Sequence, residues 1–386
     1  MAQTSARRRV FIKRCGDDVI GAVGELLDQA APDLIAGGER VLIKPNMHAV
    51  QHHTTGGTTN PAVVVGIIRW LKARGPGEIV VGDSPYHGTS KPRRTFTDTD
   101  MGPAVEAEGV RWVCFAEGEH RAISGPFDTL PEAHVTEWLD WADRIINVPT
   151  MKTHFNCLIT GALKNLKGLL RDQDKAAFHT LADLSVAVAV LNQKVRPDLS
   201  LMDATICMEG MGPGSGTTVG LNLLLASDDS VALDSVAAEV MDIRPLEVNA
   251  IRVAAQLGVG EADLSRIEVV GEPIEAVRRR FERPFEAWLR EYPQVTLIGE
   301  NVCSGCQMNV GVALQQVAAD SDPGELNLVM GSAESAPEDA IVIGQCAHGH
   351  RAGRTFLPGC PPTVDRIAEA IREKARGRHS ERSAAK

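Results

Sequence analysis

The sequence predicts an α/β fold, with a mostly parallel sheet covered by helices on both faces and a smaller C-terminal α/β domain. Short apolar runs typical of buried strands recur along the 386 residues and alternate mostly with helical stretches. Polar residues follow several of these runs, as they do at the ligand-binding edge of open parallel sheets. Four cysteines lie in the last quarter of the chain, which indicates a separate metal-binding domain.

The first domain is predicted over residues 1–290 and contains most of the predicted strands. Its strands are predicted at 41–43, 79–81, 110–115, 144–148, 199–202, 221–225 and 267–270. The second domain, residues 291–376, is predicted to contain strands at 295–298, 326–330 and 340–343 and helices at 310–318 and 363–375. Residues 377–386 are charged and rich in small residues, so we expect a disordered tail.

Polar residues at the predicted strand ends define one shared ligand cleft. They are Lys44 and Asn46 after the first listed strand, Asp83 after the second, Lys152, Thr153 and His154 after the fourth, and Asp203 after the fifth. Because ligand sites gather beyond the carboxyl ends of strands in such sheets, these side chains are expected to line the cleft.

The order of these motifs resembles the domain-of-unknown-function family 362. The matching pieces are I-K-P-N at 43–46, T-N-P at 59–61, G-D-S at 82–84, K-T-H at 152–154, T-G-A-L-K-N-L-K-G at 160–168, M-G-P-G-S-G at 211–216 and S-D-D-S-V-A-L-D at 227–234. Many members of that family carry iron-sulfur clusters, although its biochemistry is largely unassigned. The family's usual ferredoxin-like insertion is absent here, and the C-terminal cysteines are inferred to replace it.

The segment 152–168 predicts a site for an anion. It concentrates Lys152, Lys164 and Lys167 with Asn165, and a helix is expected to start near Gly161. Cations and exposed backbone N–H groups at a helix start attract negative charge, so a carboxylate or phosphate substrate is predicted. The alternative is that Lys164 and Lys167 lie on a solvated helix face.

Histidines and aspartates in the cleft are the candidate catalytic residues. His154 and His48 are predicted to move protons, since imidazole titrates near neutral pH. Asp83 and Asp203 are candidates to orient a histidine, act as bases or hold a divalent ion, with helix or turn capping as the alternative role. Cys157 follows His154 by three residues and is expected to be a buried structural thiol.

Cys303, Cys306, Cys346 and Cys360 have a spacing suited to an iron-sulfur cluster, because C-x-x-C supplies two adjacent thiolates and later loops supply two more. A structural zinc site and the absence of any metal are the alternatives. Residues 291–376 also resemble the cluster-bearing part of nickel-iron hydrogenase small subunits and of the related respiratory complex I subunit. There, a C-x-x-C after the first strand and a late G-C-P-P hold one [4Fe-4S] cluster, which this resemblance implies for the same four cysteines.

The leading hypothesis is an iron-sulfur redox enzyme acting on a small anionic substrate. A non-catalytic electron-transfer subunit, which docks a redox partner protein, is one alternative. A cluster-free isomerase or racemase with structural zinc is the other, suggested by a general similarity of the histidine and lysine loops to nickel-pincer racemases.

The net charge of −10 argues against nucleic-acid binding, and the lack of a long apolar run argues against a membrane span. Arg8 and Arg9 precede no apolar export segment, so a cytoplasmic location is expected.

Overall fold

A computed structural model describes residues 7–300, 302 and 304–384. Within it the chain forms two compact units. Unit 1 comprises the chain up to His154 together with Ile159–Phe281, and unit 2 comprises Phe155–Leu158 together with the chain from Glu282 onward. Unit 1 ends at Phe281, whereas the sequence analysis placed the end of the first domain at residue 290.

Strands and helices alternate along most of unit 1, in agreement with the predicted α/β class. In chain order they are β1 (Arg8–Arg14), α1 (Val19–Ala30), β2 (Arg40–Lys44), α2 (Pro61–Lys72), β3 (Glu78–Asp83), α3 (Arg94–Thr97), α4 (Met101–Ala107), β4 (Arg111–Cys114), β5 (His120–Phe127), β6 (Leu130–Thr136), α5 (Trp138–Trp141), β7 (Arg144–Asn147), β8 (Thr150–His154), β9 (Leu158–Thr160), α6 (Ala162–Asn165), α7 (Asp172–Thr180), α8 (Leu184–Lys194), β10 (Leu199–Glu209), β11 (Thr217–Ser227), α9 (Ser230–Val240), α10 (Asn249–Gln256), β12 (Ile267–Gly271) and α11 (Ile274–Val277).

The main sheet of unit 1 has the strand order β12-β1-β11-β10-β7-β2-β3-β4, and β8 also pairs with β10. The pairs from β10 through β7, β2 and β3 to β4 are parallel, whereas β11 runs antiparallel to both β1 and β10. The mostly parallel sheet predicted from the sequence is therefore confirmed. Its parallel strands end together, so the residues that follow β2, β3 and β7 share one edge of the sheet.

Both faces of this sheet are buried, as expected for parallel strands in an α/β fold. Val41 and Ile43 of β2 pack in a core cluster with residues of α1 and α2 such as Val23 and Val63. Leu42, which points to the opposite face, is also fully buried. Helices therefore cover the sheet on both sides and leave its edge for polar side chains.

Unit 2 contains a second parallel sheet, with the order β13-β14-β15-β16. Its elements are α12 (Pro284–Leu289), β13 (Val295–Ile298), α13 (Ser304–Ala318), β14 (Leu326–Met330), β15 (Ile341–Ile343), β16 (Thr355–Leu357) and α14 (Val364–Ala384). The smaller C-terminal α/β domain predicted from the sequence is thus present.

Two helix boundaries differ from those that the sequence predicted. Helix α13 begins at Ser304 and not at residue 310, so Cys306 lies in its first turn. Helix α14 continues to Ala384, where a disordered tail was predicted from residue 377. The Arg, Glu and Ala residues of 377–384 have high helix propensity, and the sequence reasoning gave that propensity too little weight. The antiparallel hairpin of β5 and β6 was not predicted, because its strands are short of apolar residues.

Candidate functional site

A buried ion pair joins the ends of β2 and β3. The Lys44 Nζ lies 2.7 Å from Asp83 Oδ1, and the two side chains are 0% and 3% exposed. The other carboxylate oxygen of Asp83 accepts a hydrogen bond of 2.6 Å from the backbone N–H of Met47. Burial lowers the pKa of Lys44, and the charge of Asp83 opposes that shift. This pair fixes the loop that follows β2, because Met47 belongs to that loop.

Lys152, on β8, is buried among neutral groups. Its ammonium donates to Asn46 Oδ1 at 3.2 Å, to the Gly57 carbonyl, and to His48 Nδ1 at 3.3 Å. Burial lowers the pKa of Lys152 well below its usual value, and the nearby charge of Lys164 lowers it further. In the part of the chain that the structure describes, no carboxylate forms an ion pair with this ammonium. A buried charge without a counterion is costly, so the site favours either an anion or loss of the proton.

His48 contacts Lys152 through one ring nitrogen. The Nδ1 atom of His48 lies 3.3 Å from Lys152 Nζ, and the backbone of Gly57 is a second hydrogen-bonding neighbour of the ring. Burial lowers the pKa of His48 well below its usual value, with further lowering from Lys152 and Lys164, which keeps the ring neutral. His48 is half-buried, so part of its ring is accessible at the strand-end edge.

His154 closes the same group at the end of β8. Its side chain is 3% exposed, and burial lowers its pKa well below the usual value, followed by the charges of Lys164 and His179 and then of Lys167 and Lys152. A neutral imidazole surrounded by cations is a proton acceptor whose protonated form is disfavoured until negative charge enters the site. The structure thus brings together most of the predicted cleft residues, which we call the lysine–histidine site: Lys44, Asn46, His48, Asp83, Lys152, His154, Lys164, Asn165 and Lys167.

Asn165 has a structural role in this site. Its side-chain amide donates to Asn147 Oδ1 at 2.8 Å and lies 3.4 Å from the carbonyl oxygens of Lys44 and Pro45. It therefore links the ends of β7 and β2, which is a different role from the substrate contact that the sequence suggested.

Another carboxylate occupies the helix start that the sequence assigned to an anionic ligand. Helix α6 begins at Ala162, close to the predicted position, but the N–H groups of Ala162 and Leu163 donate to Asp234 at 2.6 and 3.0 Å. The prediction of exposed N–H groups at this point is wrong, since a residue 72 positions away in sequence caps them. Burial raises the pKa of Asp234 to about 7, although the two backbone donors act in the opposite direction. Attraction of an anionic ligand must therefore come from the side chains of the lysine–histidine site and not from the start of α6.

Two predicted residues face away from the lysine–histidine site. The carboxylate of Asp203 accepts hydrogen bonds from the backbone of Asn60 at 2.7 Å and from the backbone and hydroxyl of Thr205 at 2.9 and 2.6 Å. This is the capping role left open by the sequence. The Thr153 hydroxyl donates to the Gly210 carbonyl at 2.9 Å, so it holds the loop after β10.

Helix α7 adds residues that the sequence reasoning missed. Lys175 donates to Ser84 Oγ at 2.6 Å and pairs with Asp172 at 3.1 Å, and His179 lies 2.5 Å from the Lys167 ammonium. Burial lowers the pKa of His179 to about 2, with Lys167 the next cause. The positions of these three α7 residues, at i, i+3 and i+7, place them on one helix face, and that spacing was the available signal.

His87 leaves a polar atom unsatisfied beside this group. Its ring centroid is 5.6 Å from that of His179. Its buried Nδ1 atom has no hydrogen-bond partner among the described residues. Buried polar atoms in proteins are nearly always satisfied, so His87 has a hydrogen-bonding capacity that the described residues do not use.

In unit 2, the segments that carry three of the four predicted cluster cysteines lie side by side. A Cβ atom added to Gly344 would lie 3.1 Å from Cys306 Sγ and 3.8 Å from the Gly359 carbonyl oxygen. The backbone N–H of Gln345 also donates to Gly359 at 2.9 Å. Cys346 and Cys360 directly follow these residues and are exposed, whereas Cys306 is buried. Cys303 lies outside the described residues, and Cys157 is buried, as predicted.

A comparison with known protein families identifies the family to which this chain belongs. A family model described as "Domain of unknown function (DUF362)" matches residues 41–239. This range is more than half of the 386 residues and contains the whole lysine–histidine site. The chain belongs to the DUF362 family. The resemblance inferred from the strand-end motifs is thereby confirmed, and the motifs lie at the edge of the DUF362 sheet.

Individual relatives are more distant. The thylakoid-associated protein sll1697 of Synechocystis sp. is 28% identical over 260 residues, which are 65% of this chain and 78% of that protein. A crystal structure from Thermotoga maritima has a TM-score of 0.36 at 15% identity and covers 61% of this chain. The lactate racemase apoprotein of Thermoanaerobacterium thermosaccharolyticum has a TM-score of 0.41 at 14% identity and covers 63%. This chain spans 59% of each of those two structures. No helix in the described part of the chain is both long and apolar enough to cross a membrane.

Proposed function

We propose that this DUF362 protein is an enzyme that binds a small carboxylate or phosphate substrate at the lysine–histidine site and transfers a proton there. The observation that carries this proposal is the Lys152 ammonium, buried with only neutral partners in the described structure. Because isolated buried charges are strongly disfavoured, an anion that enters the site regains a large part of the lost solvation energy.

We propose separate tasks for the side chains of the site. Lys152 uses its three N–H donors on Asn46, Gly57 and His48, so it acts on the substrate through its charge and through the orientation of His48. The accessible part of the His48 ring is the proposed contact with the substrate anion. Lys164 and Lys167 lie close enough to lower the pKa of neighbouring histidines, and they add positive potential.

His154 is the proposed proton acceptor. It is neutral in the absence of substrate, because burial and the surrounding cations lower its pKa. A bound anion offsets those cations and raises the pKa of His154 toward the range in which general bases operate. His154 would therefore become an effective base only after the substrate has bound.

The test is a direct measurement of anion binding by isothermal titration calorimetry, with a panel of small carboxylates, inorganic phosphate and phosphate esters. Lys152→Met keeps the length of the side chain and removes its charge. At an effective dielectric constant of about 20 and a distance of about 6 Å, one charge contributes about 3 kcal/mol, so affinity should fall about 100-fold. Lys194→Met, on the exposed surface of α8, is the matched control and should bind like the wild type. Equal affinity in both variants would contradict the proposal.

The second part of the proposal concerns unit 2, which we infer to hold an iron-sulfur cluster through Cys303, Cys306, Cys346 and Cys360. The residues fit such a group, because thiols follow the ends of two parallel strands and Cys306 Sγ lies against a glycine where a Cβ atom would crowd it. When bound, a [4Fe-4S] cluster supplies one-electron transfer. This would make the enzyme an oxidoreductase.

Iron and acid-labile sulfide assays after anaerobic purification test this second part. Cys346→Ser and Cys360→Ser should lose iron and sulfide together, whereas Cys114→Ser, a buried thiol of unit 1, should retain both. Zinc without sulfide would exclude the cluster. If anion binding persists in a protein without iron, the neutral pair His48 and His154 favours a proton-transferring isomerase as the alternative function.

A further inference from the structure

Two histidines in the loop between β2 and α2 lie beside Asp100, which precedes α4. Together the three side chains form a group of potential metal ligands that the lysine–histidine site does not use. His52 Nε2 lies 3.1 Å from Asp100 Oδ2, and His53 Nδ1 contacts the same oxygen. The two imidazole centroids are 4.4 Å apart. One ligand atom from each of the three residues lies within 4.8 Å of the others. Two imidazoles therefore converge on one carboxylate oxygen.

The Asp100 side chain points toward these histidines and does not cap helix α4. It occupies the N-cap position of α4, where an aspartate normally accepts a hydrogen bond from the first turn and contributes about 1 kcal/mol. Its side chain makes no such bond. The carboxylate is instead directed at the pair of imidazole rings, which is the arrangement expected of a ligand set.

The histidine loop is held in place by its own contacts. The Nδ1 atom of His52 lies 2.8 Å from the Thr54 hydroxyl, which leaves its Nε2 atom for Asp100. Gly56 has a left-handed backbone with φ +71, and an added Cβ atom would lie 2.2 Å from the carbonyl oxygen of Cys207. The loop is therefore pressed against β10, and the second ring nitrogen of His52 has a hydrogen-bonding neighbour in Thr54.

We propose that His52, His53 and Asp100 bind a divalent transition-metal ion such as Zn²⁺, Co²⁺, Ni²⁺ or Fe²⁺. Two imidazoles and one carboxylate are a ligand set that these ions accept and that Mg²⁺ and Ca²⁺ do not prefer. The three side chains are 53%, 20% and 32% exposed, so coordination positions remain open to water or to a small ligand. The site uses no residue of the anion site and no cysteine.

Cobalt and zinc binding to the chelator-treated full-length protein tests this inference without any activity assay. Titration calorimetry should show one site per chain that loses at least about 100-fold in affinity in His52→Asn and in Asp100→Asn, since each removes a direct ligand and even outer-shell changes cost 10–100-fold. The matched control is His134→Asn, because His134 pairs with Asp174 at 3.1 Å but belongs to no three-residue ligand group among the described residues. This control should bind metal as the wild type does.

The absorption spectrum of bound cobalt separates this site from the cysteines. Cobalt at His52, His53 and Asp100 should give ligand-field bands without the sulfur-to-metal charge-transfer band that thiolate ligands produce. Absence of a cobalt site of this kind in the wild type, or equal affinity in Asp100→Asn and the wild type, would overturn the inference. His52 is half-exposed, so its variant keeps the test available if Asp100→Asn does not fold.

Discussion

Adding one methyl group at Gly168 should disrupt the buried ion pair of the lysine–histidine site. Gly168 lies in a 3₁₀ helix, Leu166–Leu169, with a backbone that alanine can adopt. A Cβ atom there would lie 2.0 Å from Asp83 Oδ1 and 2.7 Å from Lys44 Nζ. Gly168→Ala therefore perturbs the ion pair of Lys44 and Asp83 by steric contact and not by backbone strain.

The expected loss of unfolding free energy follows from these distances. A Cβ atom and an oxygen need about 3.4 Å, so the Asp83 oxygen must move by more than about 1 Å, which breaks its 2.7 Å contact with Lys44. Removal of one partner of a buried ion pair costs about 3–5 kcal/mol because the other charge is left uncompensated, and separating the two groups leaves both charges in that state. We expect Gly168→Ala to lower the free energy of unfolding of unit 1 by about that amount.

Urea denaturation followed by tryptophan fluorescence measures this effect, because four of the five tryptophans belong to unit 1. Gly24→Ala in α1 is the matched control. Its new Cβ atom would meet nothing within 4 Å, and the change should be neutral or stabilise the unit by up to about 1 kcal/mol.

A double-mutant cycle identifies the atom responsible. In an Asp83→Ala background the oxygen that the new methyl group would strike is gone, so the cost of Gly168→Ala should fall by about 2 kcal/mol or more. The reasoning is refuted if Gly168→Ala is as stable as Gly24→Ala, or if its cost is unchanged in the Asp83→Ala background.

Three further predictions concern pH and packing. The pKa of Asp234 is raised to about 7 by burial, so the wild type should lose stability relative to Asp234→Asn by about 2 kcal/mol as pH rises from 5 to 7; urea titrations at several pH values measure this. Anion binding should take up protons and tighten as pH falls, because the pKa of Lys152 is lowered in the empty site; calorimetry in buffers of different ionisation enthalpy measures the uptake. Gly311→Ala would place a Cβ atom 1.9 Å from the Trp288 ring, so it should destabilise unit 2 by about 1–3 kcal/mol, as measured by thermal unfolding.

Each of these predictions has a contradicting outcome. A constant stability difference between the wild type and Asp234→Asn across this pH range would mean that the carboxylate does not titrate there. Anion binding without proton uptake would show that Lys152 is fully charged in the empty site. Unchanged melting in Gly311→Ala would mean that Trp288 has room to move.

The sequence was sufficient for the fold class and for the strand-end residues of the site. Apolar runs with the period of a buried strand indicate β2, β3, β7 and β10 without reference to any other part of the chain. Parallel strands end at one edge, so Lys44, Asp83 and Lys152 were expected together before any distance was known. The iron-sulfur assignment remains a prediction of cysteine spacing and resemblance.

The tertiary structure decided which polar groups are already occupied. Asp234 caps α6 and Asp203 caps the turns at Asn60 and Thr205, through contacts across 72 and 143 residues. Asp100 meets His53 across 47 residues. The local pattern of a sequence fixes which way a side chain points from its own strand or helix, but it carries no information on which distant atom fills that space. For this reason the residues of the site were predictable as a set, whereas their hydrogen-bond partners and charges could be read only from the folded chain.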